Sequence, residues 1–367
     1  MKVLITSTSY PNNASDWRGQ FIRHLIFALS KHSDVQLSLW APPGEIPESV
    51  TYCATHAEEK WLKNLSNRGG IANLLRNRPI TGTINAVNLL RKLGRVYRRN
   101  DNVDLIHVNW LQNALPLGKS TKPLVISVLG SDFHLLRLPG MISTLRRVFR
   151  NKNCIICPNA SWMRQPLDEY FGDVAEIIHI PYGIDHRLFS LNAYRHQSVV
   201  RRWLAIIRVT RNKVGPLFDW GESVFDELNE LHLLGPMQQK IEIPTWCHYN
   251  GPTNPQQLIK QWLPSATGLV TLSQHAEGLP QIILEAMAAG VPVIASDIPA
   301  HKSVIKHQDT GWLVTSRQSF QQGIDWLSDP DNRQRVAENA KHWVMKNVGT
   351  WQDCANRFID IYRRALE

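Results

Sequence analysis

Two acidic residues, Glu277 and Glu285, stand eight positions apart in a segment whose residue types suit a polar ligand. Glu277 lies in a turn with Gly278 and Pro280, whereas Glu285 lies in a run of helix-forming residues. The first turn of such a helix offers backbone N–H groups that attract an anion, for example a diphosphate. The turn carboxylate could then accept hydrogen bonds from sugar hydroxyls, and the helix carboxylate could accept both hydroxyls of a ribose.

The residues around these glutamates predict a strand–helix–strand unit. Residues 270–272 and 291–295 are short apolar strands. Between them a helix runs from Gln281 to Ala289, and Gly290 suits the position just past its end. Parallel strands joined by a helix form a right-handed βαβ unit. The alternative is that both glutamates are solvated charges, one in a loop and one on a helix. The length of the pattern favours a ligand site.

Apolar runs alternate with helical patterns along the whole chain, which is typical of a parallel α/β sheet. The strands predicted in the first half are residues 2–8, 35–39, 104–108, 124–128, 153–157 and 176–180. Residues 203–209 restart the pattern, and a helix over 217–232 and a strand over 240–246 are expected to follow. The glycine-rich turn usual after the second strand of this half is missing or changed. Two domains are the natural expectation for 367 residues.

The composition is that of a folded protein in a reducing compartment. Residues 1–7 resemble a strand rather than a secretory leader, and no apolar run is long enough to span a bilayer. The five cysteines are an odd number, and Cys154 and Cys157 lie in a strand pattern without a second pair to complete a zinc site. We therefore expect buried, reduced thiols and a cytoplasmic location.

The formal net charge of +10 favours acidic partners such as nucleotides or an anionic phospholipid surface. Basic and apolar residues interleave in two segments, 74–99 and 137–152. Such helices can lie on an anionic membrane, here the inner face of the plasma membrane. They can equally be ordinary helices whose apolar stripe packs in the core. The pattern leaves both interpretations open. We see no recognised nucleic-acid-binding module and expect no nucleic acid partner.

The segment from Glu277 to Glu285 resembles the E-x7-E motif of retaining glycosyltransferase family 4. Arg208 and Lys213 are similar to the R-x4-K pair of that family. The similarity continues in both halves. It includes Tyr10, Pro11 and Gly19 (the family's glycine loop), residues 128–132 (its H-G-S-D turn), residues 181–189 (its linker, with Tyr182 in place of asparagine) and residues 351–366 (its terminal helix).

This resemblance implies the α/β GT-B fold. In that fold two Rossmann-like domains face an interdomain cleft, and a C-terminal helix crosses back to the first domain. The acceptor domain would comprise residues 1–183 with the crossover helix 350–367, and the nucleotide-sugar donor domain would comprise residues 190–349. Ligands at the carboxyl ends of parallel strands fit the general rule for such sheets.

The resemblance also implies residue roles. Arg208 and Lys213 would hold the donor diphosphate and stabilise charge on the departing nucleotide. Glu277 would bind hydroxyls of the donor sugar, and Glu285 would bind the ribose. Gly19 would let a first-domain loop close over the diphosphate. Backbone around the helix start would cradle phosphate and sugar, at Gly278, Leu279, Pro280 (which has no N–H) and Gln281. The alternatives are two surface bases for Arg208 and Lys213, and a simple turn for Gly19.

One position departs from the family pattern: Leu129 stands where many relatives have a histidine. Ser131 and Asp132 are then the candidate acceptor or sugar contacts, and Asp132 is the catalytic candidate. The alternative for Asp132 is that it caps the next helix. For His107, at a strand end, a satisfied strand histidine is favoured over a cleft residue. No metal and no cofactor are expected, because basic residues and helix N–H groups can neutralise the diphosphate.

The function predicted from these features is transfer of a hexose-type sugar from a nucleotide-diphosphate donor to a glycan or lipid-linked acceptor with retention, in cell-surface polysaccharide or glycolipid synthesis. Two alternatives stay open. One is a catalytically impaired GT-B protein that binds glycan or membrane, which Leu129 keeps open. The other is a nucleotide-sugar epimerase, for which the necessary acid and base residues are not evident.

Overall fold

The computed structural model describes residues 1–13, 16, 18–130, 132–195, 198–275 and 277–367. These residues form two compact units: Met1–Tyr182 with Trp351–Glu367, and Gly183–Thr350. Each unit contains one parallel sheet with helices connecting its strands. The predicted fold class, two Rossmann-like α/β domains, is confirmed.

Seven strands of the described chain build the sheet of the first unit. They are β1 (Lys2–Thr6), β2 (Gln36–Trp40), β3 (Thr51–Tyr52), β4 (Leu105–Asn109), β5 (Leu124–Val128), β6 (Cys154–Pro158) and β7 (Glu176–Ile177). They pair in parallel in the order β3-β2-β1-β4-β5-β6-β7. Every residue of β4, β5 and β6 is buried. Helices cover both faces of such a sheet, which is why its central strands are continuous apolar runs.

Six strands of the described chain build the sheet of the second unit. They are β8 (Arg201–Ile206), β9 (Asn229–Leu234), β10 (Cys247–Gly251), β11 (Gly268–Thr271), β12 (Val293–Ser296) and β13 (Trp312–Val314). They pair in parallel in the order β10-β9-β8-β11-β12-β13. Because β8 and β11 are neighbours, the loops that leave their carboxyl ends lie at the same edge of the sheet.

The helices connect these strands and complete both units. They are α1 (Gln20–Leu29), α2 (His56–Asn67), α3 (Gly70–Asn77), α4 (Pro79–Arg99), α5 (Phe133–Leu136), α6 (Met141–Phe149), α7 (Arg164–Phe171), α8 (Arg211–Val214), α9 (Leu217–Gly221), α10 (Pro255–Gln257), α11 (Gln281–Ala288), α12 (Pro299–Lys302), α13 (Arg317–Ser328), α14 (Pro330–Asn347) and α15 (Trp351–Leu366). In the ranges described above, no helix is both long and apolar enough to cross a bilayer.

The predicted elements between residues 215 and 251 were wrong. The helix expected over 217–232 is only the short α9, and residues 229–234 form β9 instead. The strand expected over 240–246 lies instead at 247–251, as β10, and it is the third strand of this unit rather than the second. Residues 222–234 include several good helix formers, Glu and Leu, but the parallel sheet buries Leu231 and Leu233, and this burial overrides local propensity.

The corrected β9 locates the glycine turn that could not be found from the sequence. Gly235 follows β9 directly and has a φ of 135°. A Cβ atom at this position would lie 1.8 Å from the carbonyl oxygen of Ile207. Only glycine therefore allows the chain to pass so close to the end of the first strand of this unit.

Helix α15 belongs to the first unit, where it contacts α1, β4, β5 and β6. His107 of β4 anchors it. One ring nitrogen lies 2.7 Å from the Tyr362 hydroxyl, and the other lies 2.8 Å from the Ser127 hydroxyl. Burial lowers the pKa of His107 to about 3. His107 is thus the satisfied strand histidine that the sequence favoured.

Candidate functional site

Lys213 and Glu277 form an ion pair at the carboxyl edge of the second sheet. The Lys213 Nζ atom lies 2.6 Å from the Glu277 Oε1 atom, and both side chains are largely buried, at 16% and 14% exposure. Lys213 lies in α8, which follows β8, and Glu277 lies in the loop that follows β11. Sixty-four residues separate them in sequence. The pairing of β8 with β11 brings them together.

The backbone around α8 fixes the position of Lys213. Thr210 begins α8, and its hydroxyl accepts a hydrogen bond from the Lys213 N–H at 3.4 Å. The N–H of Gln274 donates to the carbonyl of Asn212 at 2.8 Å, which joins the two loops. Gly215 ends α8 with a φ of 55°, and a Cβ there would lie 2.0 Å from the Leu272 carbonyl oxygen. The loops can approach this closely only because residue 215 is glycine.

Three of the residues assigned from the sequence act on each other here. Burial pushes the pKa of Glu277 upward, but the Lys213 ammonium and the Ser273 hydroxyl bring it below its ordinary value. Burial lowers the pKa of Lys213; Glu277 opposes this shift and Arg208 adds to it. Arg208 is exposed and lies two residues past β8. The site therefore contains two cations and one ionised carboxylate at one sheet edge.

His301 is a further member of this group that the sequence analysis missed. It is buried in α12, with its Nδ1 atom 2.9 Å from the Ser296 carbonyl oxygen. The Ser296 hydroxyl donates in turn to the Ser273 carbonyl at 2.5 Å. Burial lowers the pKa of His301, while the nearby Glu277 charge raises it. The position of His301 just after β12, at the same sheet edge, was the signal available in the sequence.

Glu285 lies within α11, in a different environment from Glu277. Burial raises the pKa of Glu285 to about 7, and the Asp185 carboxylate adds to the rise. Asp185 itself is held by Arg187, whose Nε atom donates to it at 3.0 Å. At neutral pH Glu285 therefore titrates, whereas Glu277 is ionised.

The start of α11 is as predicted. Pro280 occupies the cap position, and α11 begins at Gln281. The Gln281 N–H donates to the Leu279 carbonyl at 2.9 Å, so a phosphate contact there would have to replace this bond. The Gln281 side chain donates to the Gly183 carbonyl at 2.8 Å. Gly278 and Leu279 complete this partly buried turn.

The end of α11 is as predicted. Ala289 caps it, and Gly290 follows with a φ of 73°. The N–H of Val291 donates to the carbonyl of Ala286 at 2.9 Å, which closes the helix end. The chain can then turn into β12.

In the first unit, Asp132 is buried beside Leu129. Its carboxylate accepts hydrogen bonds from the backbone N–H groups of Leu111, at 3.3 Å, and Leu129, at 3.2 Å. Burial raises the pKa of Asp132 to about 6. No hydrogen bond from its side chain caps α5, so the capping alternative was wrong. Asp132 instead joins two loops at the carboxyl ends of β4 and β5. Ser131 lies outside the described residues.

Gly19 precedes α1 with a φ of 69°. A Cβ atom there would lie 2.8 Å from the Tyr10 nitrogen and 2.7 Å from the Ser9 hydroxyl. Glycine is therefore required for packing at this turn, and a contact between Gly19 and a donor stays a prediction.

Comparison with known families points to the second unit. Residues 236–343 match the family model described as Glycosyl transferases group 1, a segment that contains Glu277 and Glu285. A stretch of 76 residues is 42% identical to Glycosyltransferase 1 domain-containing protein 1 of Xenopus tropicalis. That stretch covers 20% of this chain and 22% of the relative, so the chain matches about a fifth of the relative's length.

Solved structures match over nearly the whole chain. Sucrose-phosphate synthase from Thermosynechococcus elongatus is similar with a TM-score of 0.73 at 16% identity, covering 99% of this chain and 98% of that one. HepE of Anabaena, in complex with UDP-glucose, is similar with a TM-score of 0.66 at 14% identity, covering 99% and 100%. At such identities the likeness establishes the fold alone. The chain therefore has the GT-B fold, and its residues 236–343 are similar to the group 1 glycosyl transferases.

Proposed function

We propose that this chain is a retaining glycosyltransferase similar to family 4. It would move a hexose-type sugar from a nucleoside-diphosphate donor to a glycan or lipid-linked acceptor of a cell-surface polysaccharide or glycolipid. The observation that carries the proposal is the Lys213–Glu277 pair, 2.6 Å apart at the sheet edge where parallel α/β proteins bind ligands. The similarity of residues 236–343 to group 1 glycosyl transferases supports it.

The site suits a donor that carries both negative charge and hydroxyl groups. Lys213 and Arg208 would bind the diphosphate and stabilise the charge that grows on it as the bond to the sugar breaks. Glu277, released from Lys213 by the diphosphate, would accept hydrogen bonds from the sugar hydroxyls. Glu285, which lies in α11, would accept hydrogen bonds from the hydroxyls of the ribose. HepE was solved with UDP-glucose, which makes that donor the first to test.

In the proposed step the acceptor oxygen bonds to the anomeric carbon from the face that the phosphate leaves. The bond between the anomeric carbon and the phosphate oxygen breaks, and the hydroxyl proton passes to an oxygen of the departing nucleoside diphosphate. The sugar keeps its anomeric configuration. The two cations would stabilise the leaving group, so the proposed step uses no metal or cofactor.

The acceptor would be bound by the first unit. Asp132 is the candidate contact there. Because its oxygens already accept the Leu111 and Leu129 N–H groups, we expect it to shape the acceptor loop as well as to contact the acceptor. A lipid-linked acceptor would bring this cytoplasmic enzyme to the inner face of the plasma membrane.

The test is nucleotide-sugar turnover by the Glu277→Gln variant. This isosteric change removes the charge that pairs with Lys213, and we expect turnover to fall by about 10²–10³-fold. Glu338→Gln, on the exposed face of α14, is the matched control and should keep wild-type activity. The readouts are nucleoside diphosphate release and the anomeric proton of the product by NMR.

Two outcomes would contradict the proposal. If the wild-type protein turns over no nucleotide sugar but binds glycans, the chain is a binding module. If the product has inverted configuration, the front-face step is wrong even though transfer occurs.

A further inference from the structure

One face of α4 is exposed along most of the helix and has two chemically different halves. Steps of three or four residues return to the same side of a helix, so six residues form one stripe about 27 Å long. We call this set the α4 stripe: Ile80, Ile84, Val87, Arg91, Arg95 and Arg98. The first three residues are apolar, and the last three are basic.

The apolar half of the stripe is not needed by the core. Ile80 is 80% exposed, Ile84 56% and Val87 42%. The core side of α4 is a separate stripe that includes the buried Leu93 and Val96. Three large aliphatic side chains in water at one end of a helix are the residues expected of a surface that meets an apolar partner.

The basic half of the stripe also does not take part in the packing of α4 within the described residues. Among the described residues, Arg91, Arg95 and Arg98 make no ion pair or side-chain hydrogen bond. Other bases of α4 do: Arg99 lies 2.6 Å from Glu58, and Lys92 lies 5.3 Å from the Trp61 ring centre. The charges that hold α4 on α2 are thus distinct from those of the stripe.

The three arginines line a shallow groove beside the helical segment Leu111–Leu117. Gly94 and Pro116 form part of its lining. Each of the three guanidinium groups can bind phosphate oxygens in a bidentate manner.

The other basic segment of the chain, residues 137–152, differs from α4 in its apolar residues. In α6 the apolar residues Leu145, Val148 and Phe149 are buried. Arg146 pairs with Asp173 at 2.5 Å. Leu138, before α6, is the only large apolar side chain of residues 137–152 that is exposed, so this segment has no row of exposed apolar residues like that of α4.

We propose that the α4 stripe docks the protein on an anionic phospholipid bilayer. Ile80, Ile84 and Val87 enter the boundary between headgroups and acyl chains, and the arginine half lies on the headgroup phosphates. A soluble polyanion would contact only the basic half, and an apolar protein partner would contact only the apolar half. A bilayer with anionic headgroups complements both halves at once.

The test is co-sedimentation with vesicles of phosphatidylcholine alone and of phosphatidylcholine with phosphatidylglycerol. The full chain should bind the anionic vesicles and release them as salt rises, since the Debye length shortens to about 8 Å at 0.15 M. Changing Arg91, Arg95 and Arg98 to Gln should reduce the partition constant by more than about tenfold. Changing Ile80, Ile84 and Val87 to Gln should reduce it similarly.

Matched controls lie in the second unit. Changing the exposed Lys240, Lys260 and Lys346 to Gln lowers the net charge by the same three units. Changing Val199, Leu228 and Met345 to Gln removes apolar side chains that are 85%, 53% and 55% exposed. Both control variants should bind as the wild type does, and circular dichroism should be unchanged in all four variants.

The proposal is overturned if the wild type fails to bind anionic vesicles at low salt, or if the lysine control loses as much binding as the arginine variant. It is also overturned if only the arginine variant loses vesicle binding and duplex DNA binds the protein as well as anionic vesicles do. The basic half would then be a general polyanion site. None of these outcomes depends on transferase activity.

Discussion

At the scale of single residues, Lys213 and Glu277 depend on each other. Each is largely buried, and each pKa shift combines the cost of burial with the opposite charge 2.6 Å away. Removing one partner leaves the other charge buried and unpaired, which is more costly than losing an exposed ion pair. A donor that carries phosphates and hydroxyls can replace both halves of the pair, so the buried charges are compatible with ligand exchange.

Glu285 gives a pH-dependent prediction. Its pKa is about 7 in the folded protein but about 4.3 in an unfolded chain. Between these values the unfolded state loses the proton and the folded state keeps it, so wild-type stability falls as pH rises from about 4 to 7. The Glu285→Gln variant has no ionisable group at this position, so it does not lose stability in this way as pH rises. We expect its stability relative to wild type to grow over that range by up to about 4 kcal/mol.

Urea unfolding at pH 4.5, 6 and 8 measures this difference. Glu338→Gln, which makes the same substitution at an exposed position of α14, is the control. A pH-independent difference for Glu285→Gln would show that the folded-state carboxyl has an ordinary pKa.

At the scale of elements, the loop after β8 and the end of β11 define the site. Their approach depends on Gly215, because a Cβ there would lie 2.0 Å from the Leu272 carbonyl oxygen. The left-handed φ of 55° adds to the cost of any other residue. The site is therefore set by a backbone contact between two loops as well as by its charged side chains.

Gly215→Ala should lower the free energy of unfolding by more than about 2 kcal/mol and weaken nucleotide-sugar binding. Gly118→Ala is the matched control: nothing lies within 4 Å of its added methyl group, and its φ of −45° suits alanine. Urea unfolding and isothermal titration with UDP-glucose are the measurements. Equal stability of the two variants would contradict the role given to the loop contact.

The elements also show where local sequence was a poor guide. The segment 217–232 contains good helix formers, yet its last four residues belong to the strand β9, which is half buried. By contrast, the helix Gln281–Ala288 with Gly290 beyond it was predicted closely, because its caps and its apolar neighbours agree. Local and tertiary preferences coincide at α11 and conflict at β9.

At the scale of the whole molecule, the first unit is built from two distant parts of the chain. Residues 351–367 return to it after the second unit is complete. Tyr362 of α15 bonds to His107, which is fully buried on β4. A buried ring nitrogen of His107 in the first unit therefore depends on α15 for its hydrogen-bond partner.

Tyr362→Phe should destabilise the protein by about 1–3 kcal/mol, because a buried nitrogen of His107 loses its partner. Tyr170→Phe, at a residue that is 37% exposed, is the control and should change stability by less than about 0.5 kcal/mol. Urea unfolding followed by tryptophan fluorescence measures both. A loss as small for Tyr362 as for Tyr170 would mean that His107 is satisfied without α15.

The sequence by itself determined the parallel α/β class and the course of α11, because strand periodicity and helix caps are local signals. The candidate site residues came from the resemblance to a known family, and their roles stay predictions. Tertiary structure decided what depends on distant contacts. It brought His301 to Glu277, used Asp132 to join two loops, made residues 229–234 a strand, and left the apolar half of the α4 stripe in water. In each case the deciding term is burial against residues far away in sequence, which no local pattern records.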